Sequence, residues 1–213
     1  MVATPIGNMG DLSPRARDTL SAVHVIFAED TRVAMRLLKH CGVETPVKRY
    51  DHHVHERVVD NVMVALQEGD VAYVSDAGVP GVEEPGGRLV EHVVRKGFTV
   101  TAIPGASAVM AALSLSGFRA DAFRVMGFPP TKKGREKFFE QVAATSGTVV
   151  IYESVHRIQK TLDALAGLMP QRQAVVAREL TKRYEQIFRG SVEDVARALT
   201  TSTKKGEYIV VLQ

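Results

Sequence analysis

The sequence predicts an α/β protein in which short apolar strands alternate with amphipathic helices. Two observations carry that expectation. Apolar, β-branched runs of four to six residues recur at 23–28, 71–74, 148–152, 174–177 and 208–212, with helix-length segments of three- and four-residue apolar spacing among them. Three glycine/proline loops also sit directly behind short apolar runs: TPIGN (4–8), SDAGVPG (75–81) and IPGASA (103–108). In open α/β sheets ligands bind beyond the carboxyl ends of the strands, where such loops gather. One such loop is ordinary turn geometry; three in the same structural position point to a small-molecule site built largely of backbone.

The elements follow in order. Residues 1–3 make a strand too short to be internal, so either the chain begins earlier or this strand is an edge. Ser13 caps a helix whose first turn holds Pro14 and which runs to about Ala22. A strand at 23–28 leads to a helix at 31–40 closed by Gly42, then a short strand at 47–50. The segment 56–67 is an amphipathic helix with Val58, Val59, Val62, Met63 and Leu66 on one side. The strand 71–74, a helix at 88–96, a strand at 99–102 and a buried helix at 106–116 follow. Phe128-Pro129-Pro130-Thr131-Lys132-Lys133-Gly134 is the most loop-like stretch, dividing the chain into domains 1–127 and 128–213. The second domain reads as helix 134–144, strand 148–152, helix 155–167, strands 174–177 and 184–189, helix 192–199 behind Ser191, and strand 208–212.

Composition sets the class. An apolar share of 45% over 213 residues is enough for a substantial core. No stretch approaches a membrane span and no basic-then-apolar leader opens the chain, so a soluble, cytoplasmic protein is expected. The lone Cys41 excludes an internal disulfide and a multi-cysteine zinc site. A net charge of +3 permits an anionic partner without demanding one. Its basic clusters are 132–137, Lys182-Arg183 and Lys204-Lys205, and each taken singly also suits a solvated surface.

Four constellations carry chemistry. Glu29-Asp30-Thr31-Arg32 closes a strand and opens a helix; the bland alternative makes Asp30 the N-cap and pairs Glu29 with Arg32. Tyr152-Glu153-Ser154-Val155-His156-Arg157 repeats that arrangement in the second half, with Ser154 a possible cap. Arg178-Glu179-Leu180-Thr181-Lys182 follows a strand and suits a substrate or an ion-pair network. Asp51-His52-His53-Val54-His55 is the apparent metal candidate, but no second Cys/His cluster completes a site, so no metal is expected. The glycine fingerprints of dinucleotide folds and P-loops, G-x-S-x-G and H-E-x-x-H are all absent.

Taken in order, TPIGN, AEDTR (28–32), SDAGVPG, EEPG (83–86), IPGASA, GF (127–128), YES-x-HR (152–157), ARELTK (177–182) and KGE (205–207) resemble the ribosomal RNA small subunit methyltransferase I family of the tetrapyrrole-methylase superfamily. The resemblance covers nearly the whole chain. It implies two α/β domains with S-adenosyl-L-methionine in the cleft between them, 2′-O-methylation of a cytidine ribose in the decoding centre of small-subunit (16S) rRNA, and a homodimer. By motif position, the cofactor would meet Pro5, Asp76, Ala77, Gly78, Val79, Pro80, Ala106 and Ser107, and on the second domain Met126, Tyr152, Glu153, Leu180 and Glu207. The chain departs from the family pattern at Val79-Pro80, where Thr-Pro is usual, and at Pro104-Gly105-Ala106, where Pro-Gly-Pro is usual. After Tyr50 only His53 of the usual His-x-His-Asn-Glu pattern matches securely, and many members carry a further helical C-terminal domain.

A ribose hydroxyl is a weak acid, so a carboxylate or histidine within hydrogen-bond reach helps remove its proton. Asp30, Glu153 and His156 are the candidates, with no choice among them. Arg32, Lys132, Lys133, Arg135, Arg157 and Arg178 are the candidates for gripping RNA, by positioning its phosphates. Two other readings compete: a small-molecule, tetrapyrrole-type methylase on the same fold, and a non-catalytic RNA-binding module.

Overall fold

The computed structural model describes residues 1–50, 55–82, 86–200 and 205–213, with the backbone alone at 55–58. The chain divides into two compact units, Met1–Ser107 and Ala108–Gln213. Phe128, where the sequence suggests a boundary, lies inside the second unit, because the helix after Ser107 packs on that unit's sheet.

In the first unit β1 (Val25–Ala28) is flanked by β2 (Val47–Arg49) and β3 (Val71–Val74), all parallel. All four β1 residues are buried. Ile26 and Ala28 face a core with Leu20, Leu38, Ala72 and Val74, while Val25 and Phe27 face one with Val59, Val62, Tyr73 and Leu89. A parallel strand covered on both faces reads as a continuous apolar run, which is why 23–28 signals a strand without alternation. The helices are α1 (Pro14–Ala22), α2 (Thr31–Cys41), α3 (His55–Glu68) and α4 (Gly86–Arg95). Ser13 Oγ accepts from the Ala16 amide at 3.1 Å, and Gly42, at φ 69°, closes α2.

The first residues behave differently from expectation. The Val2 amide donates to Tyr73 O at 2.9 Å, and on the other side the Ala3 amide donates to Ile103 O at 3.0 Å. Residues 1–4 therefore lie inside the layer, bonded on both sides, and are not an edge. The expected strand at 99–102 is not formed; the bridge to Val2 comes from the next residue, Ile103. Thr99, Thr101 and Ala102 are exposed, while Val100 packs on the core and Thr101 O accepts from the Met1 amino group at 3.0 Å.

The second unit is a five-stranded sheet of order β4-β5-β8-β6-β7. Its strands are β4 (Phe123–Val125), β5 (Thr148–Ser154), β6 (Gln173–Arg178), β7 (Gln186–Ser191) and β8 (Glu207–Leu212). β4 and β5 are parallel and the other pairings antiparallel. Helices α5 (Ala108–Ser116), α6 (Arg135–Ala144), α7 (Ile158–Leu168) and α8 (Val192–Thr200) accompany it. The core brings Val149, Ile151, Val176 and Val210 against Phe139, Leu162, Leu165 and Leu199. Ser191 Oγ accepts from the Asp194 amide at 3.1 Å, the cap expected for α8. β4 is unforeseen: it has only three residues, all exposed, and Phe123-Arg124-Val125 is too short a run to signal a strand.

Among the described residues no helix is long and apolar enough to cross a membrane, and no cluster of His, Cys, Asp and Glu is arranged to hold a metal. The histidine-rich stretch at 51–54 lies outside the described residues.

Candidate functional site

In the first unit the three glycine/proline loops meet. TPIGN and SDAGVPG are tied by reciprocal bonds, Thr4 N to Gly78 O at 2.9 Å and Gly78 N to Thr4 O at 3.1 Å. IPGASA starts at Ile103, whose amide donates to Met1 O at 2.8 Å. A fourth segment joins them, since the Asp76 carboxylate accepts the Asp30 amide at 3.1 Å. All of this lies beyond the carboxyl ends of β1 and β3, where the open-sheet rule places a ligand.

Two glycines show how closely the backbones approach. Gly78 has φ +77°, and a Cβ there would lie 3.3 Å from Ile6 Cγ2 and 3.5 Å from Ala106 O. At Gly105 a Cβ would lie 2.9 Å from the Ala3 methyl. Around this cradle Asp76, Ala77 and Val79 are exposed, Pro5, Ala106 and Ser107 half-buried, and Pro80 buried. A cradle of backbone with an exposed rim suits a ligand held by amides and carbonyls.

Asp30 is the N-cap of α2, accepting from the Arg32 amide at 2.8 Å. It also takes the Arg32 guanidinium, at 2.5 Å from Nη2 and 3.0 Å from Nε. Arg32 thus pairs with Asp30 rather than with the expected Glu29. The side-chain hydrogen bond from Arg32, then the Arg32 amide, holds the Asp30 carboxyl well below the usual carboxylate range. A carboxylate so stabilised is a weak proton acceptor.

In the second unit Glu153 is the centre of a buried knot, with no exposed side-chain surface. Its Oε1 accepts from the Ser154 amide at 2.7 Å and lies 3.0 Å from Arg157 Nη2. Its Oε2 accepts from Thr161 Oγ1 at 2.5 Å and lies 3.9 Å from Arg135 Nη1. Arg157 goes on to Ser154 Oγ at 3.1 Å and Pro129 O at 2.8 Å. Arg135 reaches Thr161 Oγ1 at 2.7 Å and Pro130 O at 3.2 Å, and its guanidinium lies 4.8 Å from the Phe139 ring centroid. This geometry bears on the roles expected of Glu153, Arg135 and Arg157. Glu153 has both oxygens engaged and no surface to offer a substrate hydroxyl or a cofactor, and Arg135 and Arg157 spend their donors on this knot and on the loop carbonyls. Nor does Ser154 cap α7, whose N-cap is Arg157 without a side-chain bond.

Arg178 likewise turns inward. It is buried, and its guanidinium donates from Nε to Lys205 O at 2.5 Å and from Nη1 to Gln186 Oε1 at 2.8 Å, so it binds its own chain. The following loop is strained: Glu179 and Thr181 sit at φ 52° and 66°, the left-handed region, which a β-branched residue rarely enters. Lys182 Nζ holds the loop by bridging Glu179 Oε1 and Glu207 Oε2, each at 2.9 Å. Burial pushes the Glu179 carboxyl up, but Lys182 and the Glu207 amide outweigh it and leave it below its ordinary value. The Thr181 hydroxyl is buried without a hydrogen-bond partner among the described residues, and Leu180 beside it is buried. Backbone strain with an orphaned hydroxyl is what a ligand-facing loop carries.

The remaining candidates are exposed or half-exposed. Met126 is half-buried against the core, Tyr152 stacks on Phe128, and Glu207 shares Lys182 with Glu179. His156, Lys132 and Lys133 are exposed.

Residues 1–196 match the family model described as Tetrapyrrole (Corrin/Porphyrin) Methylases. The ribosomal RNA small subunit methyltransferase I of Synechocystis sp. is 42% identical over 216 residues, spanning 100% of this chain and 77% of that protein. This chain belongs to that family. The Bacillus subtilis protein of the same name is 37% identical, spanning 100% of this chain and 74% of its own length. A crystal structure of diphthine synthase superposes with a TM-score of 0.76 at 14% identity, over 100% of this chain and 90% of that one. The cobalt precorrin-4 methyltransferase structure gives 0.71 at 17% identity, over 99% and 92%. These two likenesses show the shared fold.

Within this methyltransferase family frame, the motif residues sort into two kinds. The first-unit positions around Gly78 converge through the backbone, as the strand-end loops lead one to expect. In the second unit the charged motif residues largely fold inward. Thr161, the link between Glu153 and Arg135, escapes sequence reasoning because a threonine inside an apolar helix carries no distinguishing signal. Phe128 escapes as a functional candidate too, although it stands in the GF pair.

Proposed function

We propose that this chain is an S-adenosyl-L-methionine-dependent methyltransferase that 2′-O-methylates the ribose of a cytidine in the decoding centre of small-subunit (16S) rRNA, acting in the cytoplasm as a homodimer. The observation that carries it is the convergence of TPIGN, SDAGVPG and IPGASA on the Gly78 cradle in a chain of this family. When bound, the cofactor supplies a methyl already activated by its sulfonium. The protein has then to hold the hydroxyl in line, exclude water and accept a proton.

In this reading the cradle amides and carbonyls of residues 76–79 and 105–107 grip the cofactor. With the cofactor bound, the methyl would pass from sulfur to the ribose 2′-oxygen, the carbon–sulfur bond breaking to release S-adenosylhomocysteine and the hydroxyl proton leaving to a base. Of the three candidates, Glu153 is enclosed and Asp30 is committed to Arg32; His156 is exposed, with no hydrogen bond or ion pair among the described residues. His156→Ala lowers turnover about a hundredfold, the ordinary scale for losing a general base, and leaves cofactor affinity unchanged. Asp30→Asn, which keeps an N-cap, retains most of the turnover. Steady-state rates with small subunits check both, and a wild-type rate in the His156 variant removes it from the mechanism.

Methyl transfer from labelled cofactor to purified small subunits and to free 16S rRNA tests the activity itself. Lys132 and Lys133 are the exposed cations of the loop pinned by Arg135 and Arg157. Replacing both with alanine flattens the salt dependence of subunit binding by about one to two units, since each lost phosphate contact removes about one. An unaltered salt slope with unaltered methylation leaves these lysines as solvated surface, whereas a parent protein that methylates neither subunits nor free rRNA favours a small-molecule substrate.

A further inference from the structure

Phe128 is 55% exposed, yet its ring is held in place. It stacks on Tyr152, with centroids 5.3 Å apart and planes inclined by 22°. On one side the Tyr152 amide donates to Gly127 O at 3.1 Å. On the other, Arg157 and Arg135 donate to Pro129 O at 2.8 Å and Pro130 O at 3.2 Å. Both guanidinium groups are gathered at the buried Glu153 carboxylate, so the loop carrying Phe128 is anchored to the unit's core by charge-assisted bonds. The usual fate of a phenylalanine is burial, which recovers about 25 cal/mol for each Å² of apolar surface. Here the fold instead fixes a flat ring and leaves much of it in water. Two exposed lysines, Lys132 and Lys133, follow in the same loop.

We propose that Phe128 is a stacking platform for an unpaired nucleobase of single-stranded RNA, with Lys132 and Lys133 on the adjoining phosphates. The proposal rests on the RNA-substrate reading above and deepens it. A fixed aromatic face beside mobile cations is how proteins hold unstacked bases, because every base has a π-face and every nucleotide a phosphate. A single ring flanked by lysines is a poor protein-docking surface, which needs a contiguous apolar centre. The Phe128–Tyr152 pair already shows near-parallel geometry, and a base laid on the exposed ring would extend that stack.

The same planar chemistry belongs to the adenine of the cofactor, so the test separates the two sources. Binding is measured to small subunits and to a single-stranded RNA oligonucleotide carrying 2-aminopurine, whose fluorescence falls on stacking. Thermal stabilisation by S-adenosylhomocysteine is measured alongside. In the parent protein the oligonucleotide binds and its fluorescence is quenched. Phe128→Leu keeps the apolar bulk but removes the π-face; it binds about tenfold more weakly, loses the quench and keeps the salt slope, while Phe128→Trp restores both affinity and quench. The response to S-adenosylhomocysteine stays intact in each variant. Parental RNA affinity and quench in Phe128→Leu overturn the platform. A lost response to S-adenosylhomocysteine overturns it differently, by assigning the ring to the cofactor adenine. If the parent protein binds neither RNA nor subunits, the RNA reading itself fails and the platform with it, a result distinct from failure of the variant alone.

Discussion

Gly78→Val abolishes the rise in melting temperature that S-adenosylhomocysteine produces in the parent protein. A ligand that binds only the native state, at a hundred times its dissociation constant, stabilises it by about 2.7 kcal/mol. For a chain of this size each kcal/mol moves the midpoint by about 2–4 °C, so the parent shifts by roughly 5–10 °C. At Gly78 the backbone has φ +77°, and the first side-chain atom already meets Ile6 Cγ2 at 3.3 Å and Ala106 O at 3.5 Å. Valine adds two methyls to that space and strains the left-handed backbone. Gly42 supplies the control: it has φ +69° but nothing within 4 Å of an added Cβ. Gly42→Val therefore costs stability through the backbone alone and keeps the full ligand shift. A parent protein with no shift at millimolar ligand, or a Gly78 variant that keeps it, rules out the cradle as the cofactor site.

Glu153→Ala destabilises the protein by about 3–5 kcal/mol, the scale for removing one partner of a buried ion pair. Arg157 loses the carboxylate at 3.0 Å, Thr161 loses its acceptor, and Arg135 loses its counter-charge. Glu153→Gln keeps the shape and an acceptor oxygen, so its cost is the smaller of the two. Urea midpoints measure both. Pro129 and Pro130 hang from the same guanidinium groups, so Glu153→Ala also weakens RNA binding by freeing the loop that bears Phe128 and the two lysines. Were Glu153 the proton acceptor instead, the glutamine variant would fold with parental stability and lose turnover, and that outcome would reverse the assignment.

Much of the fold was legible because it rests on local patterns. Ser13-Pro14 opens α1, Gly42 ends α2 in the left-handed conformation, and Ser191 caps α8, each by bonds within a few residues of chain. The parallel strands were visible because burial on both faces makes them apolar throughout. Residues 1–4 and 99–102 depart from their expected roles because pairing across about a hundred positions decides them, and neither segment alone says that Val2 lies between Tyr73 and Ile103. β4 gives no signal in the sequence because three residues are too few to set a period.

The site divides along the same line. By itself the sequence determined that glycine and proline loops end the strands, that the chain carries the motifs of its methyltransferase family, and that its acids and arginines cluster at strand ends. Only the tertiary structure decided which of those charged groups remain available. Glu153, Arg135 and Arg157 are charged residues in promising motifs, but α7 packs on β5 and α6 on α7, so that they neutralise one another in the interior. Arg178 is drawn inward by Lys205 O and Gln186 in the same way. A motif records which chemistry is present, whereas the direction a side chain takes depends on partners distant in sequence. A buried charge must find such a partner or forgo its charge.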